Sequence, residues 1–182
     1  MLAVGDIQLN KGSLLSSIKT NGKLFISSEE GKLIGGVCQA RHGIDAAEIG
    51  TEKELRTEIS FGQDYLVKDQ IIAAEEELTN TKDAISKMEK KINEILNNKL
   101  LLPENLKVEK IRLVKLLEQL NLQIFNLREK FEEHFESEIR CRGVIFPGVV
   151  IESHNRYYEV KQKRSSVVFY FDRGSGRIKE KS

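Results

Sequence analysis

The spacing of glycine divides this chain into three parts. The 182 residues include 13 glycines, but none lies between Tyr65 and Glu136, a stretch with a single proline, Pro103. On both sides of that stretch, glycines separate short runs of aliphatic and aromatic residues such as 23–27 and 167–171. Because glycine and proline interrupt helices and favour turns, this distribution predicts long helices inserted into a β structure.

Apolar residues repeat at heptad spacing within the glycine-free stretch, in alternating steps of three and four. This is the pattern of a seam between two helices. The first half carries Ile71, Ala74, Leu78, Thr81, Ile85, Met88, Ile92 and Ile95, and the second half carries Leu113, Leu117, Leu120, Ile124, Leu127 and Phe131. Asn97, Asn98 and Pro103 interrupt the seam between the halves. We therefore predict a long antiparallel coiled-coil hairpin, with its tip near residues 97–105.

The flanking segments have the pattern of short stacked strands. Runs 33–40 and 43–50 combine aliphatic residues with small ones, and Gly35, Gly36 and Gly50 stand where a coil needs tight corners. In a parallel coil the aliphatic side chains stack on those of the next rung and build a continuous interior. These runs therefore predict a small parallel β-solenoid.

Together these patterns predict an α+β fold in which a β-solenoid base is interrupted by the hairpin. We expect solenoid rungs in residues 1–63, the hairpin in residues 64–137, and returning strands that complete the base in residues 138–182. A rung needs a neighbour to bury its apolar face, so the strands after the insertion must cap those before it.

Three runs carry a resemblance to a known family. They are 31–40 (GKLIGGVCQA), 44–51 ending in Glu-Ile-Gly-Thr, and 143–151 (GVIFPGVVI), in this order around a helical insertion. The chain resembles the flagellar assembly protein A family over essentially its whole length. The resemblance implies a bacterial β-solenoid with a coiled-coil arm that serves in flagellar assembly or polar organisation. It supplies no catalytic residue to carry over.

The predicted hairpin offers two apolar surfaces for a protein partner. At the tip, Leu100, Leu101 and Leu102 are costly to expose unless something binds them or they close the end of the seam. Val114, Leu122 and Phe125 lie outside the seam of the second helix, where they could contact a partner or a second copy of the chain. We expect a non-enzymatic scaffold that presents the arm to another protein.

The C-terminal segment gives an alternative function. Residues 138–182 carry 10 basic and 5 acidic side chains, whereas the whole chain has a formal net charge of +1. Lys161, Lys163 and Arg164 lie near Tyr157 and Tyr158, and basic residues among aromatic ones can bind a nucleic-acid strand. The near-zero net charge favours instead strands with one solvated face, which makes nucleic acid the less favoured partner.

Catalysis and cofactors find little support in the sequence. His42, His134 and His154 are the only histidines and have no metal-ligand spacing, so we expect structural roles for them and no cofactor. Repeats such as Ile34-Gly35 and Ile49-Gly50 also occur in hexapeptide-type acyltransferases, but hardly three turns are present before the helices. That enzyme class remains the weakest alternative.

Cellular location is predicted from two further features. Cys38 and Cys141 match no zinc, haem or redox spacing, and buried thiols in a reducing compartment are expected. No apolar run is long enough to span a membrane, and the N-terminus has no basic region followed by an apolar one. We therefore expect a cytoplasmic protein.

Overall fold

The structure is a computed structural model that describes residues 1–181. It contains 12 strands and two helices within those residues, in an α+β arrangement. The strands are β1 (Leu2–Ala3), β2 (Ile7–Leu9), β3 (Gly12–Thr20), β4 (Leu24–Ile26), β5 (Lys32–Ala40), β6 (Ile44–Ile49), β7 (Thr57–Phe61), β8 (Glu138–Ile145), β9 (Val149–Ser153), β10 (Arg156–Glu159), β11 (Arg164–Asp172) and β12 (Arg177–Lys181). The helices α1 (Tyr65–Asn97) and α2 (Glu104–Glu132) lie between β7 and β8.

Two parallel ladders form the β-solenoid. One ladder joins β1, β3, β5, β7 and β9 side by side, and the other joins β2, β4, β6 and β8. Each turn of the chain contributes one strand to each ladder. The predicted β-solenoid is confirmed, and it has about three turns.

The helical insertion does not interrupt the ladders. Leu24 in β4 lies beside Ile44 in β6, and Ile44 lies beside Ile139 in β8 on the far side of both helices. The strands before and after the insertion are therefore direct neighbours in one parallel ladder. The whole insertion occupies a single corner of one solenoid turn.

The spacing of the turns does not follow a hexapeptide repeat. Leu2 pairs with Lys19, and Gly36 pairs with Thr57, so equivalent positions lie 17 residues apart in one turn and 21 in another. A hexapeptide coil requires turns built from six-residue repeats. The coil therefore differs from the one that the acyltransferase alternative requires.

Stacked aliphatic side chains fill the interior of the solenoid. In one ladder Ile18, Cys38, Ile59 and Ile151 occupy successive rungs at the same register, and all four are buried. The other ladder has an equivalent buried stack of Ile7, Leu24, Ile44 and Ile139, which Phe169 of the antiparallel strand β11 extends. Each side chain covers the one on the next rung, so the rungs are stable only together.

Close approach of the backbones explains two corner glycines. Gly36 has φ = 80°, and a Cβ atom there would lie 2.2 Å from the carbonyl oxygen of Ser16 on the neighbouring rung. Gly43 has φ = 94°, and its Cβ would lie 2.1 Å from the carbonyl oxygen of Glu138. Only glycine fits both the left-handed conformation and the contact.

The expectation of a purely parallel solenoid was wrong at its C-terminal end. β10 pairs antiparallel with β9, and β11 pairs antiparallel with both β8 and β12. The physical reason is the chain reversal at His154 and Asn155 and at residues 173–176, because a tight turn can only return the chain alongside the strand it has just left. The turn between β11 and β12 makes these two strands a β-hairpin.

The two helices confirm the predicted helical insertion and its break after Asn97. Every seam position of α1 from Ile71 to Ile95 is buried or half-buried. Two ion pairs join the helices, between Glu75 and Arg128 at 2.6 Å and between Glu89 and Lys110 at 3.1 Å. The coiled-coil packing itself stays a prediction. Neither helix is apolar enough over a sufficient length to cross a membrane.

Candidate functional site at the root of the helical insertion

The chain leaves and re-enters the solenoid at one cluster of contacts. We call this cluster the root; it comprises residues 61–66 and 131–137 together with Arg41, Ser153 and His154. All of these residues belong to the compact unit formed by residues 1–66 and 131–182, whereas residues 67–130 form a second unit.

Asp64 begins α1 as its N-cap. Its carboxylate accepts a hydrogen bond from the backbone amide of Leu66 at 3.1 Å, which satisfies one of the free donors of the first helical turn. The same carboxylate accepts hydrogen bonds from Arg41 at 3.3 Å and from Asn21 at 3.0 Å. The start of the helix is thereby tied to two solenoid rungs.

Gln63 links the end of α2 to the turn between β9 and β10. Its amide nitrogen donates to the carbonyl oxygen of Phe131 at 3.0 Å, and its amide oxygen accepts from the backbone amide of His154 at 2.9 Å. Gln63 is fully buried, so loss of either bond would leave a polar group unsatisfied. One side chain therefore joins three parts of the chain that are distant in sequence.

Aromatic contacts hold the two ends of the insertion together. The ring of Tyr65 meets the ring of Phe131 edge to face, with centroids 6.4 Å apart, and the Tyr65 hydroxyl donates to the carbonyl oxygen of Phe61 at 2.8 Å. Burial raises the pKa of Tyr65 well above its ordinary value. Farther along, the Arg41 guanidinium lies 3.5 Å from the ring centroid of Phe135, a cation–π contact.

A chain of hydrogen bonds fixes the tautomer of His154 and links its ring to that of His134. Ser153 Oγ lies 2.9 Å from the carbonyl oxygen of Phe61, so its proton is directed there. His154 Nδ1, 2.8 Å from the same Oγ, must then donate to it. His154 Nε2 is left as an acceptor for His134 Nδ1 at 3.3 Å. His154 is therefore neutral in this arrangement, with its proton on Nδ1.

The surroundings of the pair favour the neutral form. His154 stacks on Phe171 with centroids 4.3 Å apart. Burial lowers the pKa of His154 to about 4, with further contributions from His134 and Arg173. Burial and then Arg173 also lower the pKa of His134, while Glu136 acts in the opposite direction. A proton on His154 Nε2 would also face the N–H group at Nδ1 of His134 and would break the hydrogen bond between the two rings.

The contact between Ser153 and His154 has the geometry of a nucleophile and its base, but it cannot work as one. Ser153 has no solvent-exposed surface, and its proton is directed to a backbone carbonyl. A catalytic serine needs its oxygen within reach of a substrate. No group of three or more His, Cys, Asp or Glu side chains in residues 1–181 is arranged to hold a metal ion. The geometry of the root is that of a structural joint.

The predicted partner-binding residues lie on the helical unit, apart from the root. Leu101 is 95% exposed, Leu122 63% and Phe125 58%. Leu100 and Val114 are also exposed, and Leu102 is half-buried. Their role in partner binding stays a prediction.

Two members of the predicted basic tract are engaged with acidic side chains. Lys163 lies 3.6 Å from Glu52, and Arg164 lies 3.7 Å from Glu180. Lys161 is exposed. The tract is therefore less positive than its sequence indicates, which weakens the nucleic-acid alternative.

Sequence reasoning missed the root. His134 falls within the predicted hairpin segment 64–137, but α2 ends at Glu132 and His134 lies in the following loop. The one local signal was the His154-Asn155 pair between two β runs, since both residues adopt positive φ (52° and 56°) in a two-residue hairpin turn.

The histidine pair predicts acid-sensitive stability. Both folded-state pKa values lie below the ordinary value of 6.5, so an unfolded chain binds protons first as the pH falls. The contribution of the two histidines to the free energy of unfolding is fully present above about pH 6.5 and is lost progressively as the pH falls from there toward 4. We expect His154→Asn to remove most of the loss between about pH 7 and pH 5, because asparagine tolerates the left-handed turn and does not titrate.

Urea unfolding followed by tyrosine fluorescence measures this effect. All four tyrosines, Tyr65, Tyr157, Tyr158 and Tyr170, belong to the solenoid unit. His42→Asn is the matched control, because exposed His42 lies outside the hydrogen-bond chain. This variant should lose as much stability between about pH 7 and pH 5 as the parent protein does. If His154→Asn lost as much stability on acidification as the parent, the attribution of this loss to the histidine pair would be contradicted.

Comparison with known proteins places the fold in a family. The family model described as the flagellar assembly protein A beta-solenoid domain matches residues 1–176. The curated proteins and the solved structures gave no significant match. The match covers β1 to β11 and both helices. The chain therefore belongs to the flagellar assembly protein A beta-solenoid domain family.

Proposed function

We propose that this chain is a non-enzymatic scaffold of bacterial flagellar assembly or polar organisation. In this proposal it acts in the cytoplasm, and residues 65–132 form an antiparallel coiled-coil arm that presents an apolar surface to a protein partner. The observation that carries the proposal is the unbroken ladder across the insertion, in which Ile44 lies beside Ile139. Because the strands on either side of residues 67–130 pair directly with each other, we infer that these residues are available for another task.

Contacts within the helical unit support the hairpin. Glu75 near the start of α1 meets Arg128 near the end of α2, and Glu89 farther along α1 meets Lys110 earlier in α2. A later position on α1 is thus paired with an earlier position on α2, which is the order expected of antiparallel helices. Exposed ion pairs of this kind contribute little to stability but define the pairing register.

The exposed side of α2 supports the presentation of an apolar surface. Leu122 and Phe125 lie three residues apart and so project from the same side of the helix, and both are more than half exposed. Leu120 and Ile124, at seam positions, are buried. One helix therefore has a buried apolar side and an exposed one, and large exposed apolar groups favour protein contact.

Cross-linking tests the hairpin. In the Glu75→Cys/Arg128→Cys variant we expect a short bis-maleimide to join the two positions within one chain, because the native side chains are in contact. Glu75→Cys/Val108→Cys is the matched control and should give no such product, because Val108 lies near the opposite end of α2. Native Cys38 and Cys141 are buried, and burial raises the pKa of each thiol to about 12, so they should remain unmodified. Covalent dimers in place of cross-linked monomers would show that α1 and α2 pair between copies and would contradict the hairpin.

Complementation tests the functional proposal. In a flagellated host that lacks its own copy, we expect this protein to restore swimming, and Leu122→Ser/Phe125→Ser to fail at equal protein level because the apolar contact is lost. Val4→Ser, which changes an exposed apolar residue of the solenoid unit, should restore swimming fully. Normal swimming with the double variant would contradict presentation by this surface.

A further inference from the structure

The C-terminal strands enclose a second polar feature, apart from the root and from the arm. A cavity of about 620 Å3 lies between the start of β10 and the start of β12. It is lined by Arg156, Tyr157, Arg177 and Ser175, among others, and no acidic side chain lines it. Two arginines therefore line one concave surface that no carboxylate lines.

Neither arginine forms an ion pair in the part of the chain that the structure describes, although acidic residues are nearby. Asp172, the cross-strand partner of Arg177, is bonded by Lys179 and by Ser175 Oγ. The hydrogen bond from Lys179, followed by that from Ser175, lowers the pKa of Asp172 to about 2. Glu180 accepts from the Tyr158 hydroxyl at 2.9 Å and lies 3.7 Å from Arg164. The local carboxylates are thus occupied by other partners.

Tyr157 adds an aromatic group to the same surface. It is 69% exposed on β10, and its hydroxyl contacts Glu152 at 3.4 Å. An exposed aromatic ring that lines a cavity together with two arginines can stack on a planar ligand, while the guanidinium groups bind its anionic part.

We propose that this cavity is a binding site for a phosphate group, either free or as part of a nucleotide. Arg156 and Arg177 bind the phosphate oxygens, since the planar guanidinium matches phosphate geometry and carries its charge at every physiological pH. Ser175 and the backbone of the β11–β12 turn close one side of the cavity. This site does not depend on the proposed scaffold function, and a test of one proposal does not decide the other.

Titration of the whole chain with inorganic phosphate tests the site. Amide shifts of Tyr157 and Gly176 in NMR spectra at constant ionic strength give the affinity. We expect Arg156→Gln and Arg177→Gln each to weaken binding by about tenfold, the usual effect of one hydrogen bond to a charged group. Arg173→Gln is the matched control, because Arg173 lies in the same turn but lines a different cavity, and its affinity should stay at the parent value. Unchanged thermal unfolding verifies that each variant is folded.

A parallel titration with AMP distinguishes the two sources of the phosphate. Tighter binding of AMP than of phosphate, lost in Tyr157→Leu, identifies a nucleotide, and equal binding identifies the phosphate group alone; either result supports the site. The proposal is overturned if neither ligand shifts these amides, or if Arg173→Gln weakens binding as much as the variants of the lining arginines do.

Discussion

The parallel register between rungs is the constraint on which the rest of the structure depends. An aliphatic side chain in one rung is buried only when its counterpart occupies the same position in the next, as Ile18, Cys38, Ile59 and Ile151 do. An insertion that shifted this register by one residue would expose the stack. The helices can interrupt the coil because their ends meet at one place, where the rings of Tyr65 and Phe131 lie 6.4 Å apart. The strands on either side then pair as if no insertion were present.

The root solves a problem that every such insertion creates. Two helix ends and a chain reversal converge on the solenoid, and each brings backbone groups without regular partners. Gln63 and Asp64 supply those partners from side chains, and the histidine pair extends the same network into the β9–β10 turn. Because the network requires a neutral His154, and burial lowers the pKa of both histidines, the stability of the joint depends on pH. The polar groups at the root are thus explained by the architecture.

The parts of the fold that follow from local patterns could be predicted. The absence of glycine predicted the helical stretch, and Pro103 and the two asparagines predicted where it breaks. These residues influence the backbone within only a few positions, so their effect can be predicted from local sequence. The direction of the last strands could not be predicted in this way, because an aliphatic run such as 167–171 reads the same in a parallel or an antiparallel pair. The meeting of His134 with His154 depends on the register of three distant segments, which no local spacing encodes. The exposure of Leu122 and Phe125 was predicted because seam and non-seam positions differ within a single helix.

Excision of the helical unit tests the central claim most directly. Residues 67–130 would be replaced by a short Gly-Ser linker, which has to span only the small gap between the ends of α1 and α2 at the root. The unbroken ladder predicts that the shortened chain keeps a β-type circular dichroism spectrum and unfolds cooperatively in urea when followed by tyrosine fluorescence. A shortened chain that is unfolded, or that loses its tyrosine transition, would show that the solenoid depends on the insertion and would contradict the account.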